Sequence, residues 1–132
     1  MRLQRQLGRE DWILAGLHAL MRGGEAGLRV EAVARDLSVT KGSFYWHFRD
    51  RADWRDAILG WWEHRAFAAL VARRPGRAAR PDMPPDPAPD PAPDPAIERA
   101  LRDWARRDVA VALSLGRVLR ERARAQPQRR AA

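Results

Sequence analysis

Residues 85–96 are three identical copies of the tetrapeptide PDPA, and no other stretch limits the fold as severely. Proline at every second position removes backbone donors and fixes φ, so neither a helix nor a sheet ladder runs through such a segment. Polyproline II is the remaining regular conformation, and at about 3.1 Å per residue the repeat would span ~37 Å. Residues 75–96 hold nine of the ten prolines and carry a net charge of −2, the composition of a semi-rigid acidic linker. No aromatic or basic anchor flanks the repeat, which makes a proline-recognition ligand the weaker reading. The chain is therefore expected in three parts: residues 8–66, a linker at 75–96, and a helical region at 97–124 followed by a disordered basic tail at 125–132.

Outside the linker the apolar residues recur at helical spacing, and the expected fold class is all-α. A first helix spans about Glu10–Met21, with Ile13, Leu17, Leu20 and Met21 on one side, and Gly23, Gly24 and Gly27 turn the chain. A second, about Val30–Leu37, aligns Val30, Val33, Ala34 and Leu37. Ser38, Val39 and Thr40 break it, and Thr40 is placed to cap a third helix at about Lys41–His47. Asp50, with Asp53 three residues on, opens a long fourth helix that reaches about Arg73, with Trp54, Ile58, Trp61 and Arg65 on one stripe. After the linker, Ile97, Leu101, Trp104 and Ala105 form one helical face, and Asp108 caps a further helix with Ala112, Leu115, Val118 and Leu119.

Bulk properties exclude several function classes. The chain has 132 residues, a formal net charge of +8 and no Cys. A disulfide framework, a thiolate metal site and a Cys nucleophile are excluded, and His18, His47 and His64 show no metal-ligand spacing. No nucleophile–base pair, paired carboxylates or phosphate loop is present, so neither an enzyme nor a cofactor is expected. No apolar run suits a membrane span or a signal peptide, and a cytoplasmic protein without membrane contact is expected. The positive charge favours a polyanionic partner. Its weight is reduced by composition, because Lys41 is the only Lys in an Arg-, Ala- and Pro-rich chain. The charge is also densest at 97–132 (net +6) rather than at 1–74 (net +4), despite the arm Arg2, Arg5 and Arg9.

The segment VTKGSFYWHFRDR, residues 39–51, carries the functional signal. Phe44 and Phe48, four apart, can bury one helical face, which leaves Ser43, Tyr45, Trp46 and His47 to face outward between Lys41 and the basic Arg49 and Arg51. A short helix with hydroxyl, aromatic and basic groups outward suits a DNA groove. Each residue has a second reading: Tyr45 and Trp46 packed on the first helix, His47 bracing helix ends through a backbone carbonyl, Lys41 merely solvated, and Arg51 paired with Asp53 or Asp56. Trp54, Trp61, Trp62 and Trp104 read as core or dimer surface before a ligand cage, and His18 and His64 as surface residues.

From Glu10 to about Leu59, through VEAVARDLSVTKGSFYWHF and the following Asp-Arg, the chain resembles the N-terminal DNA-binding domain of the tetracycline-repressor (TetR) family. The resemblance implies a three-helix, homeodomain-like helix-turn-helix with its motif at about 29–48. It implies that Thr40 opens the recognition helix, with Lys41, Gly42 and Ser43 at its tip in the major groove. Tyr45 would contact backbone or a thymine methyl, and Trp46, His47 and Arg51 would contact phosphate. The sequence departs from the family at Ser38, where Gly is usual, at Arg29, which replaces a Ser or Thr cap, at Glu31, where many members carry Arg, and at Trp54, where Leu is commoner.

The family reading implies a repressor that occupies an operator on double-stranded DNA as a homodimer, with a small-molecule inducer left open. The family's dimer-forming helices have no counterpart after residue 124, which sets the expected homodimer against a truncated or divergent C-terminal region. The alternatives are a basic helical interaction protein that binds RNA, a membrane surface or a partner helix through residues 97–132, or a truncated, non-functional regulator.

Overall fold

The computed structural model describes residues 7–72 and 93–126, and most of the Pro-rich segment and of the expected basic tail lies outside them. Six helices follow in order: α1 (Arg9–Gly23), α2 (Val30–Asp36), α3 (Lys41–Tyr45), α4 (Arg51–Ala72), α5 (Pro95–Ala105) and α6 (Val109–Ala125). A single 3-10 turn, Gly24–Gly27, links α1 to α2. The fold is all-α, with no strand among the described residues.

Gly8 caps α1, its N–H bonded to Asp11 Oδ2 at 2.8 Å, and Glu10 and Asp11 place negative charge at the positive end of the helix dipole. The buried face of α1 is wider than its apolar spacing suggested, because Trp12, Gly16 and Ala19 join Ile13, Leu17 and Leu20. Gly16 is where α1 meets α4: a Cβ there would lie 2.7 Å from Ile58 Cδ1 and 2.9 Å from the Trp54 ring. Met21 is only half-buried.

The tight turn between α2 and α3 rests on Ser38, which adopts φ 58°, the left-handed region that suits glycine. Ser38→Gly is expected to stabilise the fold by about 0.5–1 kcal/mol. Chemical denaturation checks this, and a loss of stability would show that the Ser38 side chain contributes more than its backbone strain costs. Thr40 occupies the cap position of α3, but its side chain makes no capping hydrogen bond. Arg29, ahead of α2, offers none either. The third helix ends two residues before His47, and a turn closed by His47 N–H to the Phe44 carbonyl (3.0 Å) carries Trp46 and His47.

At α4 the Asp50 carboxylate accepts from Asp53 N–H (2.8 Å), while Asp53 accepts from Arg49 N–H (3.0 Å). These bonds satisfy two otherwise orphaned donors at the helix start. The buried stripe of α4 is Trp54, Ile58, Leu59, Trp62 and Ala66. Trp61 and Arg65 sit beside this stripe rather than on it, with the Arg65 guanidinium 4.3 Å over the half-buried Trp61 ring.

The last PDPA copy runs directly into α5. Asp94 accepts from Ala96 N–H at 2.8 Å and Pro95 takes the first helical position, where its missing N–H costs nothing. Ile97, Leu101 and Trp104 of α5 are buried. Asp108 caps α6, accepting from Ala110 N–H (2.9 Å), and pairs with Arg55 of α4 at 3.1 Å. On α6 the buried residues are Val111, Ser114, Leu115 and Val118, whereas Ala112 is exposed and Leu119 half-buried. The helix continues to Ala125, past Leu119, its last large apolar residue, with Arg122 paired to Glu98 of α5 and Arg117 to Glu63 of α4. α5 packs on α1 and on the 3-10 turn, α6 packs on α4, and their buried residues join those of α1–α4 in one apolar cluster.

Candidate nucleic-acid interface

The recognition segment is built from the inside outward. Phe44 and Phe48 are fully buried, and the Phe44 ring lies edge-on to Trp12 (5.4 Å) and Trp54 (5.3 Å) and tilted against Phe48 (5.2 Å). Trp54 Nε1 donates to the Trp12 carbonyl at 3.0 Å, which locks α4 to α1 beneath α3. Trp12 is the central residue that the sequence reading missed. Its spacing from Gly16 and Ala19, four and seven residues on, was the available signal.

The outward set lies on one short surface. Tyr45 is 53% exposed and Trp46 is 88% exposed, so neither packs on α1. Thr40, Lys41 and Gly42 are exposed at the start of α3, while Ser43 is half-buried. Large aromatics left in water at this density are uncommon on a soluble surface without a partner. Tyr O–H and Trp N–H are directional donors well suited to phosphate oxygens.

Three of the basic residues are already engaged. Lys41 Nζ lies 2.8 Å from Glu31 Oε1, so the acidic departure in α2 is met by the cation of α3. The hydrogen bond from Lys41 holds the Glu31 carboxyl below its usual range, and the same bond raises the Lys41 ammonium. The depressed carboxyl loses its contribution only as pH falls, and the raised ammonium loses its own only as pH rises, so the pair is intact at neutral pH.

Arg51 turns back onto the 3-10 turn, donating from Nε to the Leu28 carbonyl (2.9 Å) and from Nη2 to the Glu25 carbonyl (3.1 Å). Its acidic neighbour is Glu25 at 3.9 Å rather than Asp53 or Asp56. His47 Nε2 lies 3.3 Å from the Leu7 carbonyl, an acceptor only, so the ring donates from Nε2. That contact ties the end of the recognition segment to the start of α1.

Tyr45, Arg29, Arg51 and Arg107 line one open cleft of about 780 Å³ together with Glu25, Glu31 and Asp103. Among the described residues no group of three His, Cys, Asp or Glu could hold a metal ion, and His18 and His64 are exposed. No helix among them is long and apolar enough to cross a membrane.

Residues 13–58 match the family profile of bacterial regulatory proteins, tetR family. No solved structure matches the chain. The match covers α1 from Ile13 onward, the 3-10 turn, α2, α3 and the first eight residues of α4, the elements that carry Tyr45 and Trp46 outward and Phe44 inward. Residues 13–58 are thus an N-terminal helix-turn-helix domain of the tetR type, the domain of a family of DNA-binding transcription regulators.

Proposed function

We propose that this protein is a non-enzymatic cytoplasmic repressor that occupies an operator by laying α3 and its following turn in the major groove. The observation that carries the reading is the exposure of Tyr45 and Trp46 immediately beside the fully buried Phe44 and Phe48. That arrangement holds the backbone of the segment rigid while presenting donors outward. Lys41 and Ser43 reach base edges, and Tyr45, Trp46, His47 and Arg51 fix register on the phosphates. Thr40 and Gly42 let the start of α3 approach the DNA closely. A homodimer presents two such segments to a two-fold operator, and Val109 and Leu113, exposed at 75% and 56% on α6, are apolar positions available to it.

Glu31 tempers this surface. Lys41 must leave a 2.8 Å ion pair to reach DNA, and the Glu31 carboxylate is left facing phosphate. Glu31→Gln is expected to tighten DNA binding by roughly 3–10-fold and to steepen the salt dependence by about one unit. Titrations across a salt series check this, and unchanged affinity would mean that Lys41 stays outside the interface.

Selection from a pool of random duplexes tests the reading. A shared motif should emerge, and variants at the exposed α6 arginines Arg120 and Arg124 should still select it. Uniform binding of all duplexes, abolished by those α6 variants, would instead support the basic interaction-protein reading. Deleting residues 97–132 is unsuitable for that comparison, because Ile97, Leu101, Trp104 and Val111 belong to the shared apolar cluster.

A further inference from the structure

The cleft beside Tyr45 brings the C-terminal helices up to the recognition surface. Among the described residues its lining sets Arg29, Arg51 and Arg107 against Glu25, Glu31 and Asp103, so its charges balance and it is no ready-made anion site. Glu31 is taken by Lys41. Glu25, half-buried in the 3-10 turn, lies between two arginines: Oε1 is 3.9 Å from Arg51 Nη2, and Oε2 is 3.6 Å from Arg107 Nε. The two arginines are held differently. Arg51 is seated by backbone carbonyls, from Nε to Leu28 at 2.9 Å and from Nη2 to Glu25 at 3.1 Å. A guanidinium has more N–H donors than these bonds use, and Arg51 is exposed, so it can meet a phosphate without leaving its seat. Arg107 is placed by the corner between α5 and α6: its backbone N–H donates to the Trp104 carbonyl at 2.9 Å, and its Nη2 to Asp103 at 2.9 Å. Trp104 is buried and the adjacent Asp108 pairs with Arg55 of α4, which fixes that corner against the rest of the fold.

We propose that Arg107 is a positioning residue for DNA binding: it draws the Glu25 carboxylate away from Arg51 and so leaves the outer N–H groups of Arg51 for phosphate. The proposal rests on the DNA-binding reading above, with Arg51 as a phosphate contact. At 3.9 Å the Arg51–Glu25 approach is longer than a charge-assisted hydrogen bond, so the pair has room to close. Arg107 holds the carboxylate from the opposite side, at the shorter distance of 3.6 Å. Without Arg107, the Glu25 carboxylate closes on Arg51. It then takes an N–H donor and offsets the positive charge that a phosphate would otherwise meet. A phosphate contact from Arg107 itself is the weaker reading, because it would leave both its carboxylate partners, Glu25 and Asp103, facing the DNA. The α5–α6 corner thus acts on DNA through Arg51, without touching it.

The test titrates the duplex selected from random sequence across a salt series, with thermal unfolding of each variant alongside. Arg107→Gln is expected to bind about 3–5-fold more weakly, the scale of one exposed ion pair. Its salt slope should be lower by about one unit, as for one lost phosphate contact. Glu25→Gln/Arg107→Gln should recover the affinity and slope of the full chain, because the carboxylate that closes on Arg51 is gone. Adding Arg107→Gln to Arg51→Ala should cost nothing further, since its effect passes through Arg51. A merely structural role would instead lower the melting midpoint, and removing a second charge would not repair it. If the Glu25→Gln/Arg107→Gln variant stays as weak as Arg107→Gln, Arg107 meets phosphate itself and positioning is overturned. If Arg107→Gln or Arg51→Ala matches the full chain while Tyr45→Ala loses binding, the proposal fails and the α3 reading stands. If the full chain selects no duplex, both fall together.

Discussion

Phe44→Ala is expected to lower the free energy of unfolding by about 3–5 kcal/mol and the melting midpoint by roughly 10–20 °C. The reason is local. α3 is five residues long and buries one side chain, Phe44, which meets Trp12, Phe48 and Trp54 at ring distances of 5.2–5.4 Å. A helix this short has no stability of its own. Removing the ring leaves a cavity among rigid aromatics that collapse poorly, and it frees the segment that carries Tyr45 and Trp46. DNA binding should fall with stability, even though Phe44 touches no solvent. Thermal and denaturant unfolding check the magnitude, and a loss below about 1 kcal/mol would mean that α3 is held mainly from elsewhere.

The second large effect concerns the C-terminal helices. Trp104→Ala is expected to cost about 3–5 kcal/mol and to shift a single, cooperative transition of the whole chain. Trp104 is almost fully buried on α5, and its helix packs on α1 and on the 3-10 turn that positions α2. Arg55–Asp108 and Arg117–Glu63 add ties between α4 and α6, at 3.1 and 2.6 Å. Trp104→Phe should be milder, because Trp104 Nε1 has no hydrogen-bond partner among the described residues to lose. A two-step melt, with the tryptophan signal of Trp12 and Trp54 unshifted, would show instead that α5 and α6 fold apart from the helix-turn-helix domain.

Local chemistry explains which features were legible in the sequence. Phe44 and Phe48 share a helical face by spacing alone, which forces Tyr45 and Trp46 outward, and both are exposed. Asp50 and Asp108 are caps that announce themselves by their position before an apolar run, and both make their bonds. Ser38, in a place that demands φ > 0, adopts φ 58°. Other features depended on tertiary placement. One residue turns a helix by about 100°, so the stripe Trp54, Ile58, Trp61 and Arg65 is one position out of phase with the buried face of α4, which takes Trp62 instead of Trp61. Thr40 shows the converse, a good capping residue whose hydroxyl does not cap.

The site's electrostatics were the least legible part. Lys41 meets Glu31, Arg51 meets Glu25 and the Leu28 carbonyl, and His47 meets Leu7, forty positions away. Long side chains crossing between elements leave no periodic trace. The length of α6 beyond Leu119 has the same origin, because Arg122 finds Glu98 on α5 rather than an apolar face.

The central claim is that the exposed side chains of α3 and its following turn bind DNA without holding the fold together. The direct measurement is a titration of the selected duplex with the full chain and with Lys41→Ala/Tyr45→Ala, paired with thermal unfolding of both. The double variant should bind at least ~100-fold more weakly, the loss expected when a base contact and a phosphate contact go together, while its melting midpoint stays nearly unchanged. Binding that persists in the double variant with the fold intact would contradict the assignment of α3 as the recognition helix.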